Sequence, residues 1–232
     1  MRKIGFIGAY DKTDLIINVA KILTVVKKKV LIVDATILQK SRYIVPVINP
    51  TKMYVTEYED IDIAIGFSNF DEIKKYLGVP EEQELDYDIV FIDTDNTQGY
   101  KQFNLQNSER KYFVTSFDLY SLKKGLEILV GLENMDNLTK VYFSKDMLKE
   151  DDDYLNYLSK EYKIIWEEDK IYFPIENGDL SVIYENQRFA KVGFRKLSIQ
   201  YKEGLAYIAE QILGNGSDGE IRRAIKAIEK GG

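Results

Sequence analysis

The chain has 232 residues, an ordinary balance of apolar and charged side chains, and a formal net charge of -6. It contains no cysteine and no histidine, which excludes a disulfide framework, thiolate or imidazole metal ligation, and any catalysis that needs an imidazole base. The acidic balance argues against nucleic acid as a partner, and no run of about 18 apolar residues offers a membrane span, so the expectation is a cytoplasmic α/β protein without a secretory signal.

Lys3-Ile-Gly-Phe-Ile-Gly8 reads as a buried strand, and Ala9 to Thr13 as a tight loop. Asp14 to Val26 follows as an amphipathic helix, because Leu15, Ile16, Val19, Ala20, Ile22, Leu23 and Val26 recur at three- and four-residue spacing. Asp11 or Thr13 is placed to cap it, and Asp14 lies in its first turn. Lys29 to Asp34 is a second strand. Further strand-like runs are expected at Ile61 to Phe67, Ile89 to Asp93, Lys111 to Thr115, Thr139 to Phe143 and Tyr162 to Trp166. Helical patterns fall at Phe70 to Leu77, Leu119 to Leu132, Tyr154 to Leu158 and Leu197 to Leu213, and the acidic run Glu150 to Asp153 reads as a solvated helix start. This alternation predicts a mainly parallel sheet with helices on both faces and right-handed crossovers. The 17 tyrosines and 11 phenylalanines are scattered, which places most of them in the core or on the sheet rather than on a stacking platform.

The domain is expected to span residues 1–213, with 214–219 as a glycine-rich flexible linker and 220–232 as a short basic helix. In that tail Ile221, Ala224, Ile225 and Ile228 take one side, and Arg222, Arg223, Lys226 and Lys230 the other. Three outcomes are open for it: docking on a partner or on its own domain, a frayed terminus, or weak peripheral contact with a membrane.

The ordered segments resemble the MinD/ParA family, the deviant-Walker branch of P-loop ATPases. The family loop Lys-Gly-Gly-x-Gly-Lys-Ser/Thr matches Ile7-Gly8-Ala9-Tyr10-Asp11-Lys12-Thr13; its two switch regions match Val33-Asp34-Ala35-Thr36 and Ile92-Asp93-Thr94. The resemblance implies a three-layer P-loop sandwich with a nucleotide site drawn from Gly8, Asp11, Lys12, Thr13, Asp34 and Asp93. It implies magnesium on Thr13, Asp34 and Asp93, and a homodimer meeting face to face across that site. It also implies a protein partner in a membrane-linked bacterial assembly (secretion, pilus, division or flagellar placement) and a tail that touches the inner face of the membrane.

The chain departs from the family pattern at functional positions. Asp11 replaces the glycine before the lysine, Ile7 replaces the signature lysine, Thr36 replaces the carboxylate that activates water, and Ser144 and Lys145 stand where a base-contacting polar residue is usual. A phosphate loop needs bare backbone near the oxygens, and a carboxylate there opposes the ligand. The expectation is therefore a degenerate member with no catalytic residue and no resident cofactor, in which Asp11 caps the helix and pairs with Lys12. The alternative is an active ATP- and magnesium-dependent dimerisation switch.

Overall fold

The structure, a computed structural model, describes residues 1–47, 51–130, 134–145, 149–214 and 216–231. Among them eight strands form one sheet: β1 (Arg2–Ile7), β2 (Val30–Asp34), β3 (Tyr54–Tyr58), β4 (Ile61–Ile65), β5 (Ile89–Thr94), β6 (Arg110–Ser116), β7 (Asp136–Ser144) and β8 (Ile164–Pro174). Their order is β3-β4-β2-β5-β1-β6-β7-β8. Each neighbouring pair is parallel except β3 and β4. The helices are α1 (Thr13–Val25), α2 (Ser41–Ile44), α3 (Phe70–Leu77), α4 (Thr97–Gln102), α5 (Leu119–Glu127), α6 (Lys149–Leu158), α7 (Asn177–Phe189), α8 (Ile199–Leu213) and α9 (Asp218–Gly231).

Both sheet faces are covered, which is why the central strands are apolar on both sides. Along β1, Ile4 and Phe6 join the cluster that includes residues of α1, α7, α8 and α9, while Ile7 joins the cluster beneath α3 to α6. Caps fix several helix starts: Asn69 Oδ1 accepts from the Glu72 N–H (2.9 Å), Asp118 Oδ1 from the Ser121 N–H (2.9 Å) and Ser198 Oγ from the Tyr201 N–H (3.1 Å). Tyr112, Tyr142 and Tyr201 are buried, as the scattered aromatics suggested.

Several elements differ from the sequence expectation. The β3–β4 hairpin was not anticipated; its turn residues Glu59 and Asp60 both have positive φ (55° and 64°), a conformation that Asn-Gly signals far better than Glu-Asp. The strand expected at 162–166 begins at Ile164 and runs to Pro174, because Ile171 and Phe173 continue the pairing with β7 and face the core. The expected helix 119–132 is helical to Glu127, and residues 131–133 lie outside the described residues. α7 was not anticipated.

The acidic run is less solvated than expected. Asp152 turns inward and accepts from Lys140 Nζ (2.8 Å) and Tyr142 Oη (2.6 Å), with Lys170 on its other oxygen. Burial opposes its ionisation, yet Lys140, Lys170 and Tyr142 together hold the Asp152 carboxyl down at about 2.

The tail helix is docked. Ile221, Ala224, Ile225 and Ile228 are all under a tenth exposed and belong to the core cluster shared with α1 and α8. Lys202 Nζ of α8 reaches Glu229 of α9 at 2.6 Å. The apolar stripe is thus sequestered by the chain itself, since a buried isoleucine gains about 1.5–3 kcal/mol over an exposed one.

Candidate functional site

The ends of β1, β2 and β5 converge on one cleft. β5 lies between the other two, and its register sets Thr94 beside Ile7 and Asp93 beside Asp34. Two carboxylates therefore meet at the carboxyl edge of the sheet, where ligands of open α/β sheets bind.

The loop from Gly8 to Lys12 leads directly into α1. Gly8 has φ +148°, and a Cβ there would lie 2.0 Å from the Val114 carbonyl oxygen, so close packing on β6 alone demands this glycine. Tyr10 stacks on Phe143 with ring centroids 4.9 Å apart. Lys12 folds back into the loop and is only 3% exposed; its Nζ donates to the Gly8 carbonyl (2.9 Å) and lies 2.7 Å from Asp93 Oδ1. Burial pushes the Asp93 carboxyl up to about 7 against the pull of Lys12, and neighbouring Asp34 and Asp11 push it the same way.

Asp11 stands one residue ahead of the N-cap Lys12, which makes no side-chain cap bond, and accepts at Oδ1 from the Thr13 N–H, one of the helix's orphan donors (3.2 Å). It does not pair with Lys12, however, and that expectation is corrected. Lys12 serves the buried Asp93, which has no solvent to stabilise its charge, and the half-exposed Asp11 pairs with Lys40 instead. Lys40 also lies 3.0 Å from Asp14 Oδ2, and Gln187 Nε2 of α7 donates to both Asp14 oxygens (2.9 and 3.0 Å). Burial opposes the charge on Lys40, but Asp14 and Asp11 outweigh it and raise its pKa.

Asp34 holds the loop after β2. Its Oδ1 accepts from the Thr36 N–H (3.1 Å) and hydroxyl (2.5 Å), and its Oδ2 from the Ser41 N–H (3.1 Å). Thr36 Oγ1 in turn accepts from the Gln39 N–H (3.0 Å), so this hydroxyl staples the loop.

Among the described residues, no group of three or more acidic side chains is arranged to hold a metal ion. The proposed magnesium set does not fit as placed: Asp34 is engaged on both oxygens, and Asp93 faces an ammonium at 2.7 Å. The cleft itself has a volume of about 360 Å³, within the usual range for small-molecule sites, and its charged lining is Asp11, Asp93 and Asp95 against Lys12 and Lys40.

The structure thus brings Gly8, Asp11, Lys12, Thr13, Asp34 and Asp93 together, and adds Lys40, which the sequence reading missed. The one available signal was weak: Lys40 is the sole basic residue between Asp34 and Arg42. The tail residues are elsewhere. Ile221, Ile225 and Ile228 point into the core, while Arg222, Arg223 and Lys226 are exposed. No helix among the described residues is long and apolar enough to cross a membrane.

No protein-family model and no curated protein matches the chain. Solved structures do match. A chain of the MinC:MinD cell division protein complex of Aquifex aeolicus is 14% identical, with a TM-score of 0.61 over 93% of this chain and 97% of that one. A ParA family ATPase from Chlorobium tepidum TLS is 12% identical, with a TM-score of 0.57 over 90% and 97%. The ATP complex of a Cyanothece McdA is 12% identical, with a TM-score of 0.56 over 92% and 96%. At such identities the likeness shows a shared fold.

Proposed function

We propose, from a fold shared with the MinD/ParA P-loop proteins, that this chain is a non-hydrolysing relative that works as a binding or positioning component. The observation that carries the proposal is the state of the phosphate seat. The Asp11 carboxylate already sits on the first N–H of α1, and the lysine that would meet phosphate is ion-paired with Asp93. A phosphate entering there would have to displace one anion from the helix N-terminus and take Lys12 from another.

Two like unit charges about 4 Å apart repel by about 4 kcal/mol at an effective dielectric of about 20, and a triphosphate carries several. Lys40 offsets part of this at Asp11, but it leaves the amide seat filled. Thr36 offers no carboxylate to activate water, and its hydroxyl is engaged by the loop. Calorimetric titration with ATP and ADP in magnesium tests the reading. The unmodified chain should show no binding tighter than millimolar, and Asp11→Gly should gain affinity.

The retained Lys12 and Thr13 favour one other reading, an active ATP-dependent switch. That reading requires micromolar ATP binding that is lost in Lys12→Ala.

The partners follow from the resemblance. We place a second copy of the chain face to face across the cleft, and a protein of a membrane-linked bacterial machinery as the further partner. With the isoleucine stripe inside the fold, the connection to the membrane runs through that protein, because direct lipid contact requires α9 to detach. Flotation of the full chain with anionic vesicles checks this; recovery in the lipid fraction would assign the contact to the tail.

A further inference from the structure

The cleft has two walls that belong to different parts of the chain. Thr36, Leu38, Lys40 and Tyr43 line one, and Ala9 to Thr13 line the other. The first wall is a strap built on the ends of β2 and β5: Thr36 and Ser41 bond to Asp34, Gln39 N–H donates to Thr36 Oγ1, and Ile37 N–H donates to Asp95 Oδ1 (2.9 Å). Its tip is apolar and open to solvent, with Ile37 70%, Leu38 79% and Tyr43 81% exposed.

Lys40 reaches from this strap to the opposite wall. Its ammonium meets Asp11 in the loop before α1 and Asp14 in the first turn of α1, and Gln187 steadies Asp14 from α7. Strap, loop and α1 are thereby joined through Lys40, and Gln187 ties α7 to the same cluster through Asp14. The cleft cannot widen between these walls without separating Lys40 from both carboxylates.

We propose that Lys40 is a gate, whose ion pairs to Asp11 and Asp14 hold the strap 35–41 against the loop 8–12 and so control entry to the cleft. The gate deepens, and rests on, the reading of this cleft as one whose phosphate seat is filled by the chain's own ions. Partly exposed ion pairs weaken with salt, so ionic strength opens it, and a ligand that draws Lys40 away from Asp11 and Asp14 does the same.

The absence of cysteine provides a direct test, because Thr13→Cys places a single thiol in the cleft at a position only 5% exposed. Its alkylation rate by iodoacetamide reports opening. In the Thr13→Cys background, Lys40→Met should raise the rate about tenfold or more, as expected when a local closing contact is removed. Lys40→Arg should restore slow labelling, and about 1 M salt should speed it in the parent. Hydrogen exchange provides a second readout on the chain with Thr13 intact: the bonded amides of Thr36, Ile37, Gln39 and Ser41 should lose protection in Lys40→Met, while those of β1 and β5 keep theirs.

Equal labelling and exchange with and without Lys40 would overturn the gate. If Lys40→Met loses protection throughout the sheet, the salt arm on the parent decides, and a salt-independent rate counts against the proposal. Nucleotide titration separates the two inferences: tight ATP binding would sink the reading of the cleft, whereas salt- and Lys40-dependent labelling would still establish the gate.

Discussion

The loop before α1 and the helix α9 stand at opposite ends of the chain and illustrate opposite failures of local pattern. In the loop, the spacing of glycine, lysine and threonine marks the passage from β1 to α1 that lines the cleft, but says little about the charges it holds. Gly8 is required by the Val114 carbonyl, Lys12 is occupied by Asp93, and Asp11 is held by Lys40. In α9 the periodicity of Ile221, Ala224, Ile225 and Ile228 marks which face is buried, but not that the surface burying it belongs to α1 and α8. Local sequence specifies an element's face or position; the partner of that face is decided by residues far away.

The largest effect that sharpens this contrast is removal of α9. Ending the chain at Gly214 withdraws three buried isoleucines, about 5–9 kcal/mol of burial, which is comparable with the whole stability of a typical domain. The truncated chain should be largely unfolded by circular dichroism, and a native-like melting curve would show that α9 is an appendage after all.

Next in size is Lys12→Ala, which leaves Asp93 without its counter-ion and should cost about 3–5 kcal/mol when Asp93 is charged. The loss depends on pH with a definite sign. The Asp93 carboxyl stands at about 7 in the folded chain and near 4 when unfolded, so between those values the folded state binds more protons. This group's contribution to stability is therefore full at pH below about 4 and declines as pH rises through 7. Without Lys12 the carboxyl titrates higher, and the decline extends further. Urea titrations should show the Lys12→Ala penalty growing from pH 5 to pH 9; a constant penalty would remove Asp93 from the explanation.

Asp11→Ala should be milder, about 0.5–1.5 kcal/mol, the usual net worth of one hydrogen bond such as that from the Thr13 N–H. Smallest is Arg223→Ala on the exposed face of α9, expected within about 0.5 kcal/mol of the parent by the same assay. A larger loss there would mean that the outer face of α9 is also in contact.

These differences explain what was legible beforehand. β1, β2 and β5 were readable because burial on both faces makes them continuously apolar, and α1 because its stripe is long. α7 escaped because few of its residues face inward, and Glu176, ahead of it, makes no side-chain cap. Lys12, Thr13, Asp34 and Asp93 were picked out as candidates by their places in a motif. Lys40 was not, since it reaches Asp11 and Asp14 across 29 and 26 residues of chain with no periodic or local signal. The Asp11–Lys12 pair does not form for a related reason: adjacency in sequence does not reveal the buried Asp93, which claims Lys12.

The proposed function requires that the chain's own ions fill the phosphate seat. Titrating ATP with magnesium into the unmodified chain and into Asp11→Gly, at matched salt and pH, tests this most directly. No binding tighter than millimolar is expected for the former and a clear gain for the latter; micromolar binding by the unmodified chain would overturn the proposed function.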